Sequence, residues 1–545
     1  MAGLGDPVSG EYFINREQEL GVLQRRLDGF LKGEQKRNIA IIGHRKIGKT
    51  SLTSEFIKKN KSKDCLFVPI YIPENSPGSL MRRAIGELLA AAVFHKTQKM
   101  SSFLNLNDVI ALAREHFPKT VNVALNFPET DDDPEAFRRI LILFDALQKE
   151  SGLPLVIIFD EFQRLADPKY GNAIDSFREM IPKQALIWYL ISGSSVGMLT
   201  QIVSSSDSAL FGHFEQQLIG EFDFTNSVKL IQHRLKDVKI GQTETAFFYE
   251  LTNGNPYYLD LISFRIKDLC AERGIDRVND DVIVTALTFE LFTAGGGIYT
   301  HLTSLIEQSF EKRGFGTYVE LIKAIAKGNT RLADIGRESN IELTSLPRYV
   351  KKLIDLDFIK KVDGPDTVNY LFIDEMFQDW LKNVFLLRED TFSPDITTKK
   401  KVFEKKMTEI LGNYKTEIGK GNEARVRELF QALDGTDRIG DYALPKFDSV
   451  SNFNFQGVEI DIVAQANKQE WFVEVTDSYL DIGDAKEFLK KLEKIGRKEK
   501  NKILVGLNGI KPTLEEFCKQ NDIRLLRLSE INLLLKKYSK KRILL

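Results

Sequence analysis

The first half of the chain alternates short apolar runs with stretches of helical periodicity, the arrangement that parallel α/β folds produce. Residues 38–42, 66–72, 154–159 (PLVIIF) and 186–192 (LIWYLIS) are the predicted strands. The last two are near-continuous apolar runs, as expected of strands covered on both faces. Pro69 places the second strand near an edge or a bulge, because proline donates nothing to a ladder. Asp131-Asp132-Asp133-Pro134 is an acidic turn opening the helix that leads into the third strand. Residues 96–130 read as a mixed-charge helical insertion without a motif. Residues 224–273 are helical, punctuated by Thr252-Asn253-Gly254-Asn255-Pro256. Over 314–384 lies a compact helical stretch, with helices predicted at 318–326, 332–338 and 345–356. Its β-like tail, 358–362 and 368–373, turns at Asp363-Gly364-Pro365-Asp366, so the stretch reads as a winged helix-turn-helix. Residues 388–401 (REDTFSPDITTKKK) are polar and proline-containing, which predicts a linker. The rest runs helix, three strands, helix, strand, helix, strand.

Length and composition then bound the class. At 545 residues the chain exceeds one hydrophobic core, and three or four domains are expected. Its 76 Lys+Arg nearly cancel 77 Asp+Glu, so any nucleic-acid surface must be a local patch. Cys65, Cys270 and Cys518 stand far apart in apolar settings, which predicts buried reduced thiols. The histidines form no metal-ligand spacing with a cysteine. The first ten residues lack a basic start and apolar run, and no stretch reads as the ~20 apolar residues of a membrane helix. A soluble, cytoplasmic protein without membrane contact is expected.

The candidate chemistry lies after the first strand. Gly43-His44-Arg45-Lys46-Ile47-Gly48-Lys49-Thr50 follows a β-run and precedes a helix, the context in which G-x-x-x-x-G-K-T cradles phosphate. Gly43 and Gly48 allow the turn, and the following helix presents its positive dipole end. Lys49 is expected at the β/γ-phosphates of ATP, the Thr50 hydroxyl on Mg²⁺, and Ser51 in the same loop-to-helix set. Asp160-Glu161 ends a buried strand, a costly place for acids unless they serve a cation. Asp160 is expected in the Mg²⁺ shell, and Glu161 as the group that orients or deprotonates the attacking water. Ser192-Gly193-Ser194-Ser195 ends the next strand, and Ser194 is the candidate γ-phosphate sensor.

With these residues, the first ~270 positions resemble the archaeal-type ATPases of the STAND branch of AAA+ proteins. The matching pieces are Phe13-Ile14-Asn15-Arg16-Glu17, the phosphate loop, Phe159-Asp160-Glu161, Ile191-Ser192-Gly193-Ser194-Ser195 and Gly254-Asn255-Pro256-Tyr257-Tyr258. The resemblance implies that the segment holding Arg16 packs near the adenine, although Arg16 also suits a surface position. It implies that Pro256, within Gly254-Asn255-Pro256, joins a helical lid to the nucleotide. Gly212-His213 stands where relatives often carry Gly-Arg, which implies slow hydrolysis or an arginine from elsewhere. Arg234 is one candidate, and a solvated helix charge is the other reading.

The stretch after the lid resembles the winged helices of this family and of origin-recognition-type initiators. Arg348, Tyr349, Lys351 and Lys352 suit a DNA groove, and a closed scaffold with solvated charges fits equally. The C-terminal segment resembles the PD-(D/E)xK restriction-endonuclease-like fold. Asp461 and Glu474, on adjacent strands, match its metal-binding acids, with Glu423 as a third. The lysine of that pattern is replaced by Thr476, which implies lost activity unless Lys486 or Lys490 reaches in. The basic tail, Lys536-Lys537 and Lys540-Lys541-Arg542, suits phosphate contact or plain solvation.

The expected architecture is an α/β P-loop NTPase core (1–222), a helical lid (223–312), a winged helix (313–387), a linker (388–400) and an α/β restriction-endonuclease-like domain (401–545). The expected function is an ATP-dependent switch governing a DNA-binding or nuclease-like effector, with duplex DNA and self-association as possible partners. Two alternatives stand beside it: a DNA-binding regulator with an inert nuclease fold, and a switch that gates a protein surface only.

Overall fold

The computed structural model describes residues 7–34, 36–61, 64–98, 105–128, 130–310, 314–363, 368–389, 395–439, 442–455, 458–497 and 501–538. Two compact units emerge: Met1–Leu230 with Thr252–Leu261 and Ala294–Asp390, and Ile231–Leu251 with Ile262–Thr293 and Thr391–Leu545.

The first unit is built on five parallel strands: β1 (Asn38–Ile42), β2 (Leu66–Tyr71), β3 (Leu155–Asp160), β4 (Ile187–Gly193) and β5 (Phe214–Leu218), in the order β2-β3-β4-β1-β5. Alternation along β1 sends Ala40 and Ile42 into one core and Ile39 and Ile41 into the other, so helices cover both faces. Pro69 sits in β2, an edge strand, as expected. β5 was not foreseen, because only Phe214 of its five residues is buried. The stretch after Ala294 folds as helices Gly297–Ser309, Phe315–Ala326, Leu332–Ser339 and Leu346–Asp355. An antiparallel hairpin of β6 (Ile359–Asp363) and β7 (Val368–Phe372) follows, then helix Glu375–Trp380. The turn at 364–367 lies outside the described residues.

The second unit carries a two-residue pair, β8 (Arg438–Ile439) with β9 (Tyr442–Ala443), and a mixed sheet. That sheet joins β10 (Ser449–Phe455), β11 (Val458–Ala466), β12 (Gln469–Thr476), β13 (Asn501–Gly506) and β14 (Ile523–Arg527) in sequence order. β10 to β12 pair antiparallel and β12 to β14 parallel. The expected order of elements holds, with helix Leu528–Lys537 added at the end. Helix Ile396–Ala432 starts inside the span expected as a linker, because Asp395 caps it by accepting from Thr398 N at 2.9 Å. Lys415 on this helix donates to Glu244 and Asp280 at 2.8 and 2.6 Å, and Phe403 stacks on Phe292. Helices expected in a lid thus share a unit with the C-terminal segment.

All three cysteines are free and buried, as expected. The membrane expectation needs one correction: the stretch Asp280–Ser309 is long and apolar enough by length and composition to span a bilayer. Of its most apolar window 61% is buried inside the fold, and the chain divides it into two helices, Asp280–Phe292 and Gly297–Ser309.

Candidate active site

The loop between β1 and helix Lys49–Lys59 is shaped by two glycines with different reasons to be there. Gly48 caps the helix at φ 97°, a conformation that costs a side chain, whereas a Cβ on Gly43 would run into the carbonyl oxygen of Ile219. Lys49 is buried, and its ammonium donates to Gly43 O at 2.7 Å and His44 O at 2.8 Å. Burial pushes its pKa down to about 8, against the pull of Glu161 and Asp160. A buried ammonium bonded to carbonyls is short of anionic charge, which is what a triphosphate supplies. Arg45, Lys46 and Thr50 face solvent, Ile47 is buried, and His44 is half-buried. Ser51 Oγ accepts from Val8 N at 3.1 Å, so the N-terminal segment occupies it.

The acids meet this loop. Thr50 Oγ1 donates to Asp160 Oδ2 at 3.2 Å, and Ser192 Oγ donates to Asp160 Oδ1 at 2.6 Å. Thr50 and Asp160 are therefore together, as a shared cation requires. Glu161 stands at φ 60°, and its Oε2 accepts from Ser194 Oγ at 2.7 Å and Gln163 Nε2 at 2.6 Å. Ser192, in β4, and Ser194, just past its end, each hold one acid. Gly193 separates them because a Cβ there would strike Gln163 Oε1.

The C-terminal acids also converge in part. Ile462 pairs with Val473, so Asp461 and Glu474 come next to each other across β11 and β12. Asp461 accepts from Val475 N at 2.7 Å, and burial holds its carboxyl above the ordinary range. Glu474 is pushed up to about 7 by burial and then by Asp461. Lys491 donates to its Oε1, while Oε2 is buried without a protein partner, as is Asp477 Oδ2. Each of these two carboxylate oxygens is left short of a donor or a cation. Glu423 is likewise pushed up to about 7, by burial and the charges of Asp461 and Asp477. It does not complete a ligand set: among the described residues no three His, Cys, Asp or Glu side chains come together closely enough to hold a metal. Lys486 and Lys490 are exposed and Lys486 lies over Phe517, so the lysine that reaches in is Lys491.

Residues 13–262 match the family described as an ATPase domain predominantly from Archaea. The chain carries an archaeal-type ATPase domain. An uncharacterized protein of Methanocaldococcus jannaschii, MJECL04, is 24% identical over 514 residues, covering 91% of this chain and 93% of the relative. The Walker-type ATPase PABY2304 of Pyrococcus abyssi is similar at 18% identity and TM-score 0.46, over 68% of this chain and 96% of that one. The Aeropyrum pernix ORC1 protein, solved in complex with DNA, is similar at 15% identity and TM-score 0.39, over 70% and 95%.

Within the ATPase domain, Arg16 is no surface residue. It is buried at φ 74°, with Nη2 donating to Ile47 O at 3.3 Å and to Gly220 O, and its guanidinium 4.9 Å from the Phe222 ring centre. It therefore ties the phosphate loop to the segment after β5. Pro256 opens helix Pro256–Arg273, but the reach toward the loop comes from Tyr257, whose ring takes the Lys46 ammonium at 4.7 Å. His301 packs against Tyr257, and burial with Lys46 and Arg45 holds its pKa at about 4. The motif holding Tyr257 was in hand; the helix supplying His301 carried no signal. His213 gives its carbonyl to Asn38 Nδ2 at 3.3 Å, and Arg234 belongs to the second unit. Arg348, Lys351 and Lys352 are exposed, while Tyr349 packs edge-on against Tyr318 rather than standing free for a groove. Of the basic tail, Lys537 is bound to Asp437 at 2.7 Å, and residues 540–542 lie outside the described residues.

Proposed function

We propose that the chain is an ATP-hydrolysing switch of the STAND type, in which nucleotide occupancy governs a winged helix and a C-terminal DNA-binding or nuclease-like effector. ATP with Mg²⁺ supplies the triphosphate charge and the free energy of hydrolysis. Lys49 takes the β/γ-phosphate charge, Thr50 and Asp160 hold the cation side, and Glu161 activates water once released from Ser194.

One observation carries the coupling. Asp357, just after helix Leu346–Asp355 of the proposed winged helix, accepts from Val196 N at 2.7 Å, and Ser195 Oγ donates to Asp355 O at 3.3 Å. Val196 follows directly on the serines that hold both acids. Burial raises the Asp357 carboxyl, and His44 in the phosphate loop pulls it back down. A triphosphate entering the loop competes with Asp357 for the positive charge of Lys49, so nucleotide and docked winged helix disfavour each other. Hydrogen exchange on the full chain tests this. With an ATP analogue and Mg²⁺, the Val196 amide should exchange faster in wild type and in Glu161→Gln, and Glu161→Gln should bind ATP without turnover. An unchanged Val196 amide in the nucleotide complex sinks the coupling.

The engagement of Lys491 with Glu474 favours a nuclease-like effector over an inert fold. A divalent cation at Asp461 and Glu474 would supply Lewis acidity toward a phosphodiester, and Lys491 would stabilise the attacked phosphate in place of the lysine lost at Thr476. Plasmid incubated with Mn²⁺ or Mg²⁺ should be cut by wild type and left whole by Asp461→Ala. Intact plasmid with both proteins, with and without ATP, removes the nuclease reading, and salt-dependent retention on duplex DNA then tests the regulator.

A further inference from the structure

A cavity of about 490 Å³ opens in the first unit beside the turn that follows β2, away from the phosphate loop. Asn75, Ser79 and Arg83 give it a polar, cationic rim on which Arg82 is paired with Asp131 at 2.6 Å, and Leu106 and Val109 form an apolar wall. Glu87 also lines it, solvent-exposed, with its carboxyl held above the ordinary range by desolvation against the pull of Arg83. The wall belongs to the 96–130 insertion, which carries no motif.

The neighbouring surface is aromatic and cationic as well. Tyr71, the last residue of edge strand β2, is 42% exposed. Arg83 and Arg164 stand 5.7 and 5.0 Å from its ring centre. The turn between is held firmly: Arg164 donates to Ile72 O and Glu74 Oε1 at 2.6 Å, Lys169 to Glu74 O at 2.7 Å, and Tyr170 to Pro73 O at 2.8 Å. Ile72 N itself donates to Asp160 O at 3.0 Å. The cavity's entrance is thus bonded to the strand and short helices that carry the two catalytic acids.

A cationic rim alone would suit any anion. The apolar wall, a carboxylate able to accept from the N–H of a heterocycle, and an exposed aromatic ring sharing Arg83 narrow the class to a group with a flat body and an anionic link. An acidic peptide uses the arginines and leaves ring and wall idle; duplex DNA offers phosphates but no free base. We infer that this cavity and Tyr71 form a contact site for single-stranded nucleic acid, taking one base against the Leu106–Val109 wall, its phosphate at Arg83, and a neighbouring base on Tyr71. The site is independent of the proposed winged-helix and C-terminal contacts, and the bonded turn gives it a path to Asp160.

The test uses the full chain and a fluorescein-labelled oligodeoxythymidine strand, with the matching duplex and free thymidine monophosphate as further arms. Arg83→Ala removes the shared cation. Gly86→Phe fills the cavity, since a Cβ at Gly86 meets only Leu106, at 3.6 Å. Wild type should bind the single strand in fluorescence anisotropy, and both variants should bind roughly tenfold more weakly with melting temperature and ATP affinity unchanged. A strand carrying 4-thiothymidine should crosslink within residues 71–90 or 105–109. If Gly86→Phe fails to fold, Arg83→Ala and the crosslink map decide. The inference is overturned by absence of single-strand binding, by equal affinity in Arg83→Ala, by preference for the duplex, by crosslinks confined to other segments, or by full displacement with an equimolar amount of the free monophosphate.

Discussion

ATP binding at pH 8 is expected to draw a proton from the solvent onto Lys49. Burial lowers this ammonium to about 8, so about half of the molecules carry a neutral amine at pH 8 and about a tenth at pH 7. A triphosphate beside the amine favours its charged form and returns it to roughly its ordinary 10.4. Uptake is then about half a proton per site at pH 8 and about a tenth at pH 7, because the ordinary phosphate pKa near 6 leaves ATP itself ionised. The same linkage weakens binding by about twofold at pH 8 and about elevenfold at pH 9, relative to a permanently charged lysine. Titration calorimetry at pH 8, in two buffers of different ionisation enthalpy, reads the proton directly from the difference in heat. Lys49→Arg should erase that difference, because a guanidinium stays charged throughout. Equal heats in both buffers for wild type, with ATP demonstrably bound, would refute the reasoning.

Other consequences are as open to measurement. Arg16→Met strands the buried carbonyl of Ile47, loses the bond to Gly220 O, and should cost about 1–3 kcal/mol in denaturant unfolding of the ATPase unit, an unchanged midpoint counting against it. Ser194→Ala frees Glu161 of one ordinary hydrogen bond and should raise basal turnover about fivefold with ATP affinity intact; a fall in rate would contradict the arrangement. Glu474 is raised to about 7 in the folded chain, so its carboxyl favours folding at low pH and loses that contribution as pH climbs from about 4.5 through 7. Glu474→Gln should flatten that part of the melting profile. At pH 8, Mn²⁺ should raise the melting temperature of wild type and leave Asp461→Ala unmoved, and equal shifts would place the ion elsewhere.

What was legible in the sequence follows from how local each signal is. Strands β1, β3 and β4 announce themselves because helices cover both faces and every position but Asp160 is buried, which makes nearly all of them apolar, whereas β5 buries only Phe214 and reads as polar chain. The phosphate loop is contiguous, so its chemistry survives without coordinates. Arg16 and Asp357 do not, since their importance lies in partners found only on folding: Gly220, 204 residues away, and Val196, 161 residues away. Lys491 lies between. Helix Ile482–Lys494 offers a lysine at nearly every turn, and Ala485, Phe488 and Leu492 mark its inward face. Lys491, three residues from Phe488, flanks that face while Lys490 points away, a signal that helical spacing could have supplied.

The engaged state of Glu161 has a consequence for timing. A carboxylate already committed to a serine and a glutamine is not at the disposal of the water it must activate, so each cycle begins with a wait. On the proposed function, ATP captured by such a molecule would outlast the moment of capture, and the protein would register that ATP was once plentiful rather than how much is present now. Residues that shorten or lengthen the wait, Ser194 and Gln163 first among them, would then set how long that record persists without touching its content.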